Sequence, residues 1–436
     1  MATDLKEKVK NLKETRFFAV FFSTAFNKII NLIYGIVLVR IISKAEYGIY
    51  SYSNNIFSYF NGLIGMGMAS TVLQVCSEAG DSVLKRGRFN FCFYVALIFN
   101  VILSISIVVF SLLFKLPIDG SNSLLLLMFG LPITACINLM FFNWLRANMD
   151  NLGYSILTSI NTVLILVFAI VGSLLYNAIG LIIGRYIAAI STTIIALIFF
   201  KCYLPPIRKK KEYVIIERND KIRTIKIGLS LCLSEFLSII IPLLGVTILG
   251  TITISEEAVA SYKAATTIPT ALGFIGTAVI TYAYSYFVRK KDDKIWTYKH
   301  YSLILAGLTI ISSGVAVFSL FFSKEIMTIV FGGEYIDGSM PFSILMIGFI
   351  FNTVLRIPAT NLLVTQTKLK FTIFISAFSS ILLIVLNLLL VPKYNSIGAA
   401  YSQTVTMLIT GLIATLYYFF VIFKIKNKEI NNDVEV

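Results

Sequence analysis

The chain has 436 residues, 57% of them hydrophobic, a mean hydropathy of +0.86 and only 14% charged side chains, against roughly 25% charged in soluble domains. That balance excludes a water-soluble globular protein. A formal charge of +15 would suit a nucleic-acid binder only if the basic residues formed one patch, and their placement along the chain excludes that too.

Apolar runs of about 20 residues, the length that crosses a hydrocarbon layer of about 30 Å as a helix, recur from Phe17 to Val421. They predict an all-α polytopic membrane protein with twelve spans, at 17–39, 49–74, 91–114, 123–145, 154–175, 178–200, 226–250, 260–287, 302–322, 341–363, 371–391 and 397–422. The ten-residue alternating strands of an outer-membrane barrel are not seen. Counted from a cytoplasmic N-terminus, 28 of the 37 lysines and arginines fall in the tails and even-numbered loops. The bias predicts both termini in the cytoplasm and explains the basicity without nucleic acid. The basic start followed by span 1, with no small-residue cleavage site, reads as an uncleaved anchor. His300 reads as a solvated side chain in a basic loop. The five cysteines (Cys76, Cys92, Cys136, Cys202, Cys232) lack CxxC spacing, so neither a disulfide framework nor a metal site is suggested.

The chain repeats itself. "YNAIG" at 176–180 returns as "YNSIG" at 394–398, 218 residues on. "GIYSY" at 48–52 pairs with "AVASY" at 258–262, "GLIG" at 62–65 with "GFIG" at 273–276, and Leu145-Arg146 with Leu355-Arg356, at offsets of 210 or 211. Two parallel six-helix repeats around a central cavity follow, since an even number of spans returns the chain to the side on which it began. Transporters are commonly built this way. The expected domains are residues 1–200, a basic cytoplasmic linker at 201–225 resting on the anionic inner leaflet, and residues 226–436 with a cytoplasmic tail.

Spans 1 and 7 each carry a polar stripe at helical spacing: Ser23, Asn27, Lys28, Asn31 and Gly35 in one, Ser230, Ser234, Glu235, Ser238 and Pro242 in the other. Asn54, Ser58 and Asn61 continue the pattern on span 2, and Lys263, Thr266, Thr270 and Thr277 on span 8. In lipid such stripes must face protein or water. For the small residues, helix packing explains them as well as a cavity does. The ionisable residues Lys28, Arg185, Glu235 and Arg356 are costlier, about 2.5–3.5 kcal/mol each at a helix centre on the mildest scales. Lys28 is about twelve residues, ~18 Å, into span 1, so a cavity or a partner must receive it. Arg356 has Asn352 and Thr360 one turn to either side, with Pro358 able to loosen the backbone. Near the outer end of span 6, Arg185 can either serve a cavity or snorkel to the interface. Glu235 can pair with Lys28 or carry a proton; the sequence leaves both open.

With "VLVRIISKAEYGIYSYSNNI" at 37–56, "GLIGMGMAS" at 62–70 and "FGGEYIDGSMPFSILMIG" at Phe331–Gly348, the chain resembles the polysaccharide transporter branch, the O-antigen (Wzx-type) flippases, of the multidrug, oligosaccharidyl-lipid and polysaccharide exporters. The resemblance implies no enzyme and no cofactor. It implies movement of an undecaprenyl-diphosphate-linked oligosaccharide from the inner to the outer leaflet of a bacterial cytoplasmic membrane, through a V-shaped cavity that opens alternately to each side. Membrane lipid, a polysaccharide polymerase and chain-length proteins are the implied partners. Lys28 and Arg356 match the family's basic cavity lining in helix and depth, and Asn27, Asn31, Asn54, Asn352 and Arg185 are candidates beside them. A diphosphate needs fixed positive charge to replace its water, which Lys and Arg supply. The chain departs from the lipid II flippase, which has two further helices, and carries its acid in span 7 rather than in span 1 as many multidrug members do.

Two alternatives follow. An ion-coupled multidrug exporter of the same fold should show acidic sites for cations, whereas here three basic residues face one acid in the spans. A membrane sugar polymerase or ligase needs a sizeable outer loop, and the longest runs from about Ser323 to Met340. No GxxxxGK[ST] nucleotide loop occurs.

Overall fold

The computed structural model describes residues 17–79, 81–202 and 216–425. Residues 203–215 of the expected basic linker therefore lie outside the described residues, as do the two charged tails.

The described chain is helical, without strands, and each of the twelve expected spans falls on helix. Eight helical stretches, or nine with one bent pair, are long and apolar enough to cross a membrane. Two of these, Asn151–Phe199 and Leu369–Phe423, each hold two spans joined at a break. Span 7 lies on Arg218–Thr253, where "SLCLSEFLS" lowers the apolarity. The protein is a multi-pass membrane protein with the transporter fold identified below.

The breaks follow from the residues at them. In the first hairpin Asn177 takes φ 50° and ψ −134°, and in the second Asn395 takes φ 47° and ψ −127°. Asn tolerates this left-handed region better than other residues with a Cβ. The glycines that follow let the returning helix run against its neighbour: a Cβ on Gly180 would strike the Gly172 carbonyl, and one on Gly398 the Leu390 carbonyl. The repeated pentapeptide is thus a two-residue reversal between adjacent spans.

Span 2 is interrupted. Lys44–Asn61 ends, and Gly65, Met66 and Gly67 take φ values of 58°, 51° and 70° before Met68–Ser77 resumes. The amide of Gly65 donates to Asn100 Oδ1 at 3.1 Å, so the broken helix has a side-chain acceptor. Gly67 touches the helix of span 7, where a Cβ would meet the Gly228 carbonyl. In the second copy the corresponding break is a step at Gly273 without positive φ, because Ala278 stands where Gly67 stands in the first. Span 4 likewise splits into Ser121–Leu127 and Leu131–Ala147, bent by 44°, at Gly130 and Pro132.

Contacts divide the chain into two compact units, Met1–Leu243 and Leu244–Val436. The division falls inside Arg218–Thr253, so the first two-thirds of the span 7 helix pack with spans 1–6. The first unit is held around Met68, Val72, Cys92, Met140, Phe141 and Leu157, all fully buried. In the second, Tyr301 and Tyr418 meet edge to face at 4.6 Å amid Phe287, Leu362 and Leu363. Lipid is as apolar as these side chains, so close packing rather than exclusion of water holds such helices together.

At the edge of the first unit the start of span 7 is tied to its neighbours by charge. Arg88 grips Asp220 through Nε at 2.8 Å and Nη2 at 3.1 Å, and donates its third nitrogen to the Val75 carbonyl. Arg223 pairs with Glu78 at 2.7 Å. His300, expected in solvent, instead stacks on Trp296 at 4.0 Å with Nδ1 2.8 Å from the Trp296 carbonyl. It is four residues after Trp296, one helical turn, so the two rings share a face.

Candidate site: cations without acidic partners

In the first unit Arg185 does not snorkel. It sits half-buried two turns into span 6 and donates Nη1 to Asn54 Oδ1 at 2.8 Å and to the Tyr50 hydroxyl at 3.3 Å. The guanidinium lies 5.7 Å from the centre of the Phe57 ring, within cation–π range, and Tyr34 of span 1 lies alongside. Residues 50, 54 and 57 recur at one face of Lys44–Asn61, which aims an acceptor, a hydroxyl and a ring at the same charge. The arrangement orients Arg185 while leaving most of its five donors uncommitted.

Lys28 and Asn31 are exposed on Phe17–Ile41. Asn27 is half-buried, and its Oδ1 is enclosed without a hydrogen bond. The pairing of Glu235 with Lys28 is not formed in this structure. Glu235 instead accepts from the Ser70 hydroxyl at 2.6 Å, because span 7 runs against the resumed helix Met68–Ser77 and brings a hydroxyl donor to the carboxylate. Ser234 and Glu235 are exposed, and the side chain of Ser238 lies outside the described residues.

In the second unit Arg356 is half-buried at the end of a π-turn, Asn352–Arg356. Pro358 has no N–H to give the carbonyl four residues back and its ring crowds that carbonyl, so the widened turn takes up the misfit. Asn352 is half-buried beside it, and Thr360 donates to the Arg356 carbonyl at 2.7 Å.

Lys263, expected on the polar stripe of span 8, is half-buried two turns into Glu256–Leu272. One feature went unseen in the sequence. The copy of Arg185, 218 residues on, is Gln403, whose Oε1 accepts from the Tyr262 hydroxyl at 2.7 Å. Spans 6 and 2 of the first unit, and 12 and 8 of the second, thus each make a polar contact, once with a charge and once without, but through different positions. At the repeat offset Tyr262 matches Tyr52, and Ala260 and Ala264 stand where Tyr50 and Asn54 hold Arg185. The repeat offset was the signal that could have found Gln403.

Among the described residues Lys28, Arg185, Lys263 and Arg356 have no carboxylate within 4 Å; the ion pairs there are Arg88–Asp220, Lys115–Asp119 and Arg223–Glu78. A profile described as polysaccharide biosynthesis protein matches residues 15–289. The chain belongs to this family. Among solved structures, it is similar to a multidrug resistance MATE family transporter of the MOP superfamily in an inward-facing conformation, with a TM-score of 0.73 and 14% identity over 92% of this chain and 96% of that one. It is also similar to the lipid II flippase MurJ in an inward closed conformation, at 0.72 and 16% over 93% and 87%. A MOP superfamily transporter from Pyrococcus furiosus gives 0.56 and 14% over 94% of each chain. No curated protein matches by sequence. These structures fix the fold of this polysaccharide biosynthesis family member as that of MOP superfamily transporters.

Proposed function

We propose that the chain is a flippase that moves an undecaprenyl-diphosphate-linked oligosaccharide from the inner to the outer leaflet of a bacterial cytoplasmic membrane by alternating access, with both termini in the cytoplasm. The observation that carries this reading is the set of cations on the spans, half-buried Arg185, Arg356 and Lys263 and exposed Lys28, without acidic partners among the described residues. A cation held in a membrane span is stabilised by a counter-charge or by water. A diphosphate supplies the counter-charge, and its oxygens accept charge-assisted hydrogen bonds from Arg in paired geometry. Family membership ties the cargo to polysaccharide assembly. The polyprenyl tail can remain in the bilayer while the head group travels.

Residue roles follow from this reading. In the first unit Arg185, set by Asn54 and Tyr50, binds phosphate oxygens with Lys28 as a further cation; in the second Arg356, at its π-turn, has the same role. Asn27, Asn31 and Asn352 offer amides to the head group. Glu235, bonded to Ser70, is the proton-carrying candidate. A sugar polymerase and chain-length proteins would consume the product outside.

The test is export of surface polysaccharide in a strain that depends on this chain. Arg356→Ala, Lys28→Ala and Arg185→Ala are expected to abolish export with normal amounts of protein in the membrane, and Arg356→Lys to retain part of it. Normal export by all three alanine variants would defeat the cationic-cargo reading. Export of cationic drugs in place of polysaccharide would favour the multidrug alternative.

A further inference from the structure

We infer that the second unit holds a subsite for one sugar ring in the cavity formed by Thr277, Ile280, Thr281, Tyr284 and Asn361. The inference rests on the flippase reading and deepens it. Gly276 allows the close approach: a Cβ there would crowd Thr353 of the π-turn and touch Ile357, so Phe274–Arg289 runs close beside Ile357–Thr365 and the next turns border a half-open space of about 280 Å³. That is just below the ~300–1,000 Å³ of sites for larger ligands, so it suits a single ring rather than a chain.

The hydrogen-bonding capacity of the lining decides the ligand class. Thr277 already donates to the Phe274 carbonyl at 2.9 Å, Thr281 to the Thr277 carbonyl at 2.7 Å, and the Asn361 amide nitrogen to the Ile357 carbonyl at 2.8 Å. Both threonine donors and one of the two Asn361 amide hydrogens point back into their own helices, which leaves two hydroxyl oxygens and Asn361 Oδ1 as acceptors and one Asn361 N–H as a donor. No charged side chain lines the space. An uncharged lining richer in acceptors than donors offers a phosphate no counter-charge and receives a ligand whose groups both donate and accept, as sugar hydroxyls do. Tyr284 adds an aromatic face for the C–H side of a ring and a hydroxyl that can donate or accept. Asn361 is five residues beyond Arg356, about 7.5 Å along the helix and about 140° around it, so a head group with a phosphate on Arg356 and a ring in the cavity would wrap part-way round that helix.

The experiment measures binding to the purified protein in nanodiscs of two probes, undecaprenyl diphosphate and the same lipid carrying one N-acetylglucosamine. The parent is expected to bind the glycosylated lipid more tightly. Thr281→Val with Asn361→Leu should weaken the glycosylated probe roughly tenfold, the loss of two hydrogen bonds, and leave the bare lipid unchanged. Thr281→Ser, which keeps the oxygen, should behave as the parent and serves as the folded control. Parent-like preference in the double variant, or equal binding of both probes by the parent, overturns the subsite. A sodium requirement for the preference would assign the same oxygens to a cation and also overturn it. A parent that binds neither lipid overturns the flippase reading and the subsite with it, whereas loss of both probes only in Arg356→Ala is the phosphate arm of that reading and leaves the subsite standing.

Discussion

Replacing Arg88 by alanine removes two bonds to Asp220 and one to the Val75 carbonyl, and leaves the carboxylate without its cation. The two side chains are only 11% and 18% exposed, so water replaces little of what is lost. Breaking one side of a buried pair costs about 3–5 kcal/mol; with some solvent still at both groups, the lower end, about 3 kcal/mol, is expected. For a unit of this size about 2–4 °C of Tm accompanies each kcal/mol, which gives a fall of roughly 6–12 °C. The assay is thermal unfolding in nanodiscs, followed by tryptophan fluorescence, for Arg88→Ala, Asp220→Ala and the double variant. Because each single change strands the other group, the double variant should be little worse than either one. Additivity within about 0.5 kcal/mol would refute the pairing as the tie between span 7 and the first unit. Arg223→Ala, at the exposed Glu78 pair, should cost less than about 1 kcal/mol by contrast.

Gly67→Ala should prevent stable insertion, since its φ of 70° and the nearby Gly228 carbonyl both exclude a Cβ; protein abundance in the membrane checks it, and a normal level would deny the close approach. Asn177→Ala and Asn395→Ala should each lower stability by about 1–2 kcal/mol through left-handed strain, and glycine at either site should recover it in the same unfolding assay. Arg185→Lys should reduce export more than Arg356→Lys does, because a single ammonium cannot serve Asn54, Tyr50 and a ligand in the fork geometry of a guanidinium. Glu235→Gln keeps the acceptor for Ser70, so lost export with unchanged stability would point to proton transfer, and unchanged export would leave Glu235 a packing group.

The number and order of the spans were legible because a membrane imposes length and apolarity on every helix that crosses it, and the repeat could be read because Asn and Gly at 177 and 180, and again at 395 and 398, are required by the reversal they make. Span 2 was read as continuous: "GLIGMGMAS" is apolar throughout, and only the backbone shows that Gly65 and Gly67 are there for positive φ and for contact with span 7. Pairing of Glu235 with Lys28 was one of two readings left open, and which hydroxyl or amide reaches Glu235 depends on how far one helix slides along another, which no local pattern encodes. The cage around Arg185 was missed for the opposite reason. Asn54 and Arg185 were separate candidates, but Tyr50 and Phe57 read as an ordinary helical face until the arginine 131 residues beyond Asn54 is seen to enter it.

The replacement of Arg185 by Gln403 at the matching place in the second copy changes what duplication accomplished. Two identical arginine pockets would each retain an anion, and a cargo bearing one diphosphate would have two equivalent resting places. With a neutral amide tied to Tyr262 in one copy, and Ala260 and Ala264 where the other has Tyr50 and Asn54, the ancestral symmetry is broken throughout this contact. If the chain is a flippase, the two copies then meet the cargo with different chemistry, and the duplicated scaffold acquires a head and a tail with respect to what it carries.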